Sequence, residues 1–156
     1  MNDQVSVEVL PLRVDAAGTW RYRRLLTPLG GESPDQAARR GAGVRAGDAS
    51  TVVHSTSWRY RPQGQIVLTY AICPDPDPHL PATELETIRL ARGATPSSPT
   101  PEHVHLENVV AHALRHLAYL LEHDPVVGAA LSGDIAVARA LNSLSREPAE
   151  AFIGAH

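Results

Sequence analysis

Four histidines, His105, His112, His116 and His123, recur at separations of seven, four and seven residues in the second half of this chain. At about 100° per residue on a helix they fall within about 20° of one line. His112 and His116 stand i,i+4, the spacing that lets two imidazoles of one helix face grip a single metal ion. The residues between them are Ala113, Leu114 and Arg115, so the pair lacks the glutamate that acts as general base in an HExxH helix. A divalent metal there needs a third ligand from elsewhere, and His54, Glu102 and Glu122 are the candidates. Two other readings use the same row. Imidazoles are amphipathic and cover the border of a core, and a row of them repels when protonated near about pH 6.

A second set of chemistry-bearing residues lies in TVVHSTSWRYRPQGQIVLTYAIC, residues 51–73. Runs rich in Val, Ile, Thr, Tyr and Trp flank Pro62-Gln63-Gly64-Gln65, and Gly64 supplies the positive φ of a tight reversal, so the stretch predicts a β-hairpin. Strict alternation puts Val52, His54, Thr56, Trp58 and Tyr60 on one face and Ser55, Ser57, Arg59 and Arg61 on the other. A turn centred on Gln63-Gly64 sets Tyr60 opposite Val67, Trp58 opposite Thr69 and His54 opposite Cys73. His54, Trp58, Arg59 and Tyr60 are candidates for holding an anionic, nucleotide-like ligand. Hydroxyls satisfying local bonds and arginines in solvent account for the same residues without a ligand. Ser55 and Ser57 do not pair with His54 as nucleophile and base, because neighbours on a strand point to opposite faces.

These residues need elements to position them. Val5, Val7 and Val9 alternate with polar neighbours in a first strand ending near Pro11, and Trp20 to Leu25 alternates in a second. Ser33-Pro34-Asp35-Gln36 is a capping box with proline at the first helical position, opening a short helix over 33–40. Prolines at alternating positions from Pro74 to Pro81 predict an extended surface connection. A short edge strand is expected at 87–90 and a linker at 94–100. The main helix spans 101–123, started by Thr100-Pro101-Glu102 and stopped before Pro125. Leu106, Val109, Val110, Ala113, Leu114, Leu117, Leu120 and Leu121 form its core face. Shorter helices follow at 126–131 and 135–144.

Residues 5–73, with strands, a glycine-rich loop, a short capped helix and a hairpin in that order, resemble the Nudix hydrolase family. The likeness is carried by Gly30-Gly31-Glu32-Ser33-Pro34-Asp35-Gln36-Ala37-Ala38-Arg39-Arg40. In the family's box, GxxxxxEx7REUxEExGU, Glu32 and Arg40 take the E-x7-R positions and Gly47 takes the later glycine. Leu26 replaces the first glycine, and the three glutamates of REUxEE fall on Gly41, Val44 and Arg45. The family hydrolyses nucleoside-diphosphate-linked substrates with Mg²⁺, which those glutamates serve through hard oxygen ligands. The resemblance therefore implies the fold with altered chemistry or a binding role, and it carries over to Glu32 and Arg40 alone.

Composition narrows the rest. At 156 residues with 43% hydrophobic residues, one domain with a normal core is expected. A net charge of −3 gives no general case for nucleic-acid or membrane binding, although nine arginines face six acids in residues 1–61 and five face eleven in 62–156. The chain has no lysine, which excludes a Schiff-base lysine and a phosphate-loop lysine. Phosphate contacts must come from Arg, His or backbone amides. The single cysteine, Cys73, forms no internal disulfide and reads as a buried structural thiol, natural to a reducing cytoplasm. No signal peptide or membrane span is read.

The expectation is one α+β domain over 1–156: a mixed or antiparallel sheet within residues 1–93, the linker 94–100, and a helical C-terminal region over 101–156, with the 33–40 and 101–123 helices on opposite faces of the sheet. Its leading function is a Nudix-like module with altered or lost catalysis, binding a small anionic or nucleotide-like ligand at Glu32, Arg40, His54, Trp58, Arg59 and Tyr60. The alternatives are a metal-dependent hydrolase using His112 and His116, and a non-enzymatic protein that pairs with a second copy. No catalytic residue is assigned, and no membrane partner is expected.

Overall fold

The run Val5–Val14 forms β1, the centre of the sheet, and its residues 7 to 12 are all buried. A strand enclosed on both faces reads as continuous burial, and β1 is covered on both. The structure, a computed structural model, describes residues 5–45, 47–86 and 101–145. On one flank β1 pairs in parallel with β5 (Gln65–Cys73), which pairs antiparallel with β4 (Val52–Arg61). On the other flank β1 pairs antiparallel with β3 (Leu25–Pro28) along its first half and with β2 (Trp20–Tyr22) along its second. The edge strand β6 (Thr83–Glu84) joins β2. The order is β4-β5-β1-β2-β6, with β3 beside β1.

The second strand expected from the sequence is thus interrupted at Arg23-Arg24, for a reason in its partner. Val9 pairs with Leu25 and Leu12 with Tyr22, one unbroken register that sets Pro11 opposite Arg23. The Pro11 carbonyl accepts from the Arg23 N–H at 3.0 Å, but proline has no N–H to return and the ladder lapses there.

Helices cover both faces. Ala37 and Ala38 of α1 (Pro34–Ala42) pack with Val7, Val9, Val44 and Ile72. Its capping box forms as the sequence predicts: the Ser33 hydroxyl accepts from the Gln36 N–H, and the Gln36 side chain accepts from the Ser33 N–H. Gly43 closes the helix at φ 76°, a conformation that suits glycine. On the opposite face α2 (Pro101–His123), α3 (Pro125–Ser132) and α4 (Ile135–Ser145) pack Val110, Leu114, Leu117, Leu131 and Leu141 over Leu10, Leu12, Trp20 and Ala71. The chain is an α+β protein, and α2 has the bounds that its flanking prolines predict. Among the described residues no helix is long and apolar enough to cross a membrane. The edge strand expected at 87–90 and the linker at 94–100 lie outside the described residues.

The hairpin forms, closed by a 3-10 turn at Pro62–Gly64 with positive φ at Gln63 and Gly64. Its register corrects the sequence reading. Ser55 faces Tyr70 and Ser57 faces Thr69, so Thr56 is an extra residue, a β-bulge. Beyond it Trp58 pairs with Leu68 and Tyr60 with Ile66, while His54 pairs with Ala71. The bulge reverses the alternation. His54, Ser57 and Arg59 share the α2 face, and Trp58 and Tyr60 turn to the α1 face, where they are 60% and 69% exposed.

Candidate functional site

Glu8 is the one charged side chain in the buried run of β1, and it has no exposed surface. Alternation puts it on the α2 face with Leu10, and the register brings Thr69 beside it. Arg59 donates from Nη1 to Oε1 at 2.8 Å and from Nη2 to Oε2 at 3.0 Å. The Thr69 hydroxyl donates to Oε1 at 2.8 Å, and Arg24 Nε donates to Oε2 at 2.7 Å. Each carboxylate oxygen thus accepts two hydrogen bonds, which fills its capacity. Burial pushes this carboxyl up, but the hydrogen bonds from Arg59, Arg24 and Thr69 and the charge of Arg59 outweigh it and hold it down at about 2. A carboxylate so saturated is an anchor, not a proton acceptor.

What it anchors faces outward. A cavity of about 670 Å³ opens beside the pair, lined by Arg24, Leu26, Arg59, Arg61 and, from the first turns of α2, Glu102, His103, His105 and Leu106. Glu8 takes the Nε of Arg24. Among the described residues nothing hydrogen-bonds its two Nη groups, and neither Arg61 nor His105 has an ion-pair partner. Fixed guanidinium edges beside imidazoles form a site for an oxyanion.

Two further buried carboxylates frame this region. Glu107 of α2, 2% exposed, accepts from the Tyr22 hydroxyl at 2.8 Å, and His103 Nε2 lies 3.7 Å from Glu107 and 3.6 Å from Glu86. Burial first, then the bond to Glu107, raises the pKa of the Tyr22 phenol, keeping it a donor. Asp75 accepts from Arg23 Nε at 2.9 Å and Nη2 at 2.8 Å and from Arg13 at 3.1 Å. The connection after Pro74, expected on the surface, is therefore pinned at Asp75 to Arg13 of β1 and to Arg23, just past the end of β2.

The histidine row follows β4. His105 lines the cavity. His112 Nε2 donates to the carbonyl of the bulge residue Thr56 at 3.2 Å, and His116 packs on His54 with ring centroids 4.9 Å apart. His123 donates from Nδ1 to the Tyr119 carbonyl and stacks on that ring at 4.2 Å. Burial first, then the neighbouring His54 and His112, lower the pKa of His116. The structure brings His54 to the helix pair, as a third ligand requires; Nε2 of His112 and Nδ1 of His54 donate to carbonyls, so the other ring nitrogen of each is the one that could meet a metal. Among the described residues no three His, Cys, Asp or Glu side chains are grouped to hold a metal ion.

The other sequence-predicted residues divide by place. Of Glu32, Arg40, His54, Trp58, Arg59 and Tyr60, Arg59 alone lines the cavity. Trp58 and Tyr60 meet edge to face at 5.2 Å on the opposite face of the sheet. Arg40 donates Nε and Nη2 to Glu32, at 2.6 Å for the shorter bond, clasping the start of α1. Where the Nudix box places glutamates, Gly41 lies against Thr27 and Val9, Val44 is buried, and Arg45 is exposed. Cys73 is fully buried and free, and burial raises its thiol pKa. Sequence reasoning missed Glu8, Arg24, Arg61 and His103. The signal was present for Glu8, a lone acid inside an apolar strand of an arginine-rich half-chain. Comparison with protein families, curated proteins and solved structures finds no match to this chain.

Proposed function

We propose that this chain is a Nudix-like module with lost catalysis that binds a small oxyanion in the cleft between β3, β4 and the start of α2. The observation that carries the reading is the anchoring of Arg24 and Arg59 by the fully buried Glu8, which leaves guanidinium edges lining a cavity of about 670 Å³. Ordering arginines before the ligand arrives lowers the entropic cost of binding it. The capped α1 between β3 and the hairpin, with Glu32 and Arg40 joined across the E-x7-R spacing, supports the Nudix-like reading. Gly41, Val44 and Arg45 offer no carboxylate for that family's metal chemistry, which favours binding over hydrolysis.

The test is a thermal-shift and calorimetric panel of inorganic phosphate, pyrophosphate and nucleoside monophosphates. A ligand at 100 times its Kd should stabilise the fold by about 2.7 kcal/mol. Arg61→Ala, which leaves the Glu8 cluster intact, should weaken binding at least tenfold with unchanged stability. Silence across the panel, or binding indifferent to Arg61→Ala, defeats the reading.

A further inference from the structure

The oxyanion cleft does not end at its arginines. A second cavity, of about 520 Å³, adjoins it and shares Arg24, His103 and Leu106. Its other walls are Tyr22, Leu25, Leu80 and Pro81, with Arg23 and Thr83 beside them. Each lobe alone falls within the size of ordinary small-molecule sites, about 300–1,000 Å³.

The polar groups of the second lobe are largely committed within the protein. The Tyr22 hydroxyl donates to Glu107 at 2.8 Å, Arg23 is held on Asp75, and the Leu80 carbonyl accepts from Arg13 Nη2 at 2.6 Å. Besides the shared Arg24, Thr83 and His103 are the other polar side chains of the second lobe, and neither lobe is lined by Asn, Gln or Asp, whose paired donors and acceptors suit the hydrogen-bonding edge of a nucleobase. One lobe offers fixed cations and the other an aliphatic and aromatic wall, joined at Arg24 and Leu106.

From this we infer that the ligand is amphipathic: a phosphate or carboxylate head held by Arg24, Arg59 and Arg61, on an apolar body lying along Tyr22, Leu80, Pro81 and Leu106. The inference deepens the oxyanion reading and rests on it. It selects an alkyl or aryl acid over a nucleotide, because a base would lose hydrogen bonds to water against Tyr22, Leu80, Pro81 and Leu106 and find only Thr83 and His103 to replace them.

Calorimetry on the intact chain tests it with inorganic phosphate, hexyl phosphate, hexanoate, hexanol and AMP. Hexyl phosphate or hexanoate should bind at least about tenfold more tightly than inorganic phosphate, the gain from burying only about two methylenes. The tighter of the two identifies the head. Hexanol alone should not bind. Leu80→Ser, in an exposed connection outside the core, should cut the chain-dependent gain several-fold and leave inorganic phosphate unaffected, whereas Arg61→Ala should weaken every anion. Inorganic phosphate binding as tightly as hexyl phosphate and hexanoate, AMP binding more tightly than both, or hexanol binding equally well would each overturn the inference and leave the oxyanion reading to its own test. No binding by any anion would defeat both.

Discussion

Glu8 and Arg59 lie on strands separated by β5, yet both guanidinium Nη atoms of Arg59 reach the Glu8 carboxylate, at 2.8 and 3.0 Å, across the Thr69 hydroxyl. The pair ties the outer strand β4 to the centre of the sheet by side chains. Removing one member of a buried ion pair leaves the other without compensation. Glu8→Ala should therefore cost about 3 kcal/mol in urea unfolding, with an unchanged denaturant slope, and should abolish anion binding in the cleft.

The same carboxylate sets an acid limit. Its folded value of about 2 lies below its ordinary 4.5, so the unfolded chain takes up the proton first. The stability it contributes is fully present above about pH 4.5 and is lost as pH falls towards about 2. Urea midpoints measured through this window should fall steeply for the wild type and less for Glu8→Gln.

His116 acts in a higher window. Its pKa lies below the ordinary 6.5, so the folded state resists protonation there. The stability linked to it is present above about pH 6.5 and declines as pH falls through that value. His116→Gln should flatten the pH dependence between about pH 7 and pH 5 and leave the lower, Glu8-linked limb in place.

The two tryptophans should behave oppositely. Trp20 is 5% exposed and packs in the α2-side core, whereas Trp58 is 60% exposed. Acrylamide should quench Trp58 emission and spare Trp20. Trp20→Ala should cost about 3–5 kcal/mol, and Trp58→Ala within about 0.5 kcal/mol, as for other surface changes.

Cys73 should be inert to an aromatic disulfide reagent in the folded protein and should react stoichiometrically in denaturant, because burial removes access and disfavours the thiolate together. Rapid labelling under native conditions would contradict the packing of β5.

Much of the fold was legible because its boundaries carry strong local chemistry. Ser33-Pro34 with Gln36, Pro101 and Asp124-Pro125 are start and stop signals that act within a few residues, and helices formed where they point. The hairpin turn was equally local, set by Gly64. The site was not legible, since it depends on which strands meet. Arg24, Glu8 and Arg59 come together only once β1 is set between β3 and β5, and nothing in His54-Ser55-Thr56-Ser57 announces an extra residue. The likeness to the Nudix box pointed to Glu32 and Arg40, which do meet, but as a clasp on α1 away from the cavity lining.

Thr56 gives that insertion a meaning beyond local shape. A strand has parity, and a slip of one residue in pairing exchanges everything beyond it between inside and outside; a bulge absorbs the extra residue instead. With Thr56 left out of the ladder, Arg59 falls over Glu8 and Trp58 looks away. Were Thr56 paired in a regular ladder instead of bulged out, Trp58 would face Val67, an indole would stand where the guanidinium stands, and a carboxylate sealed from water would face a ring with no charge to offer. Whether β1 can tolerate an acid at its centre is thus decided two strands away, by whether Thr56 of β4 bulges out of the ladder or pairs within it.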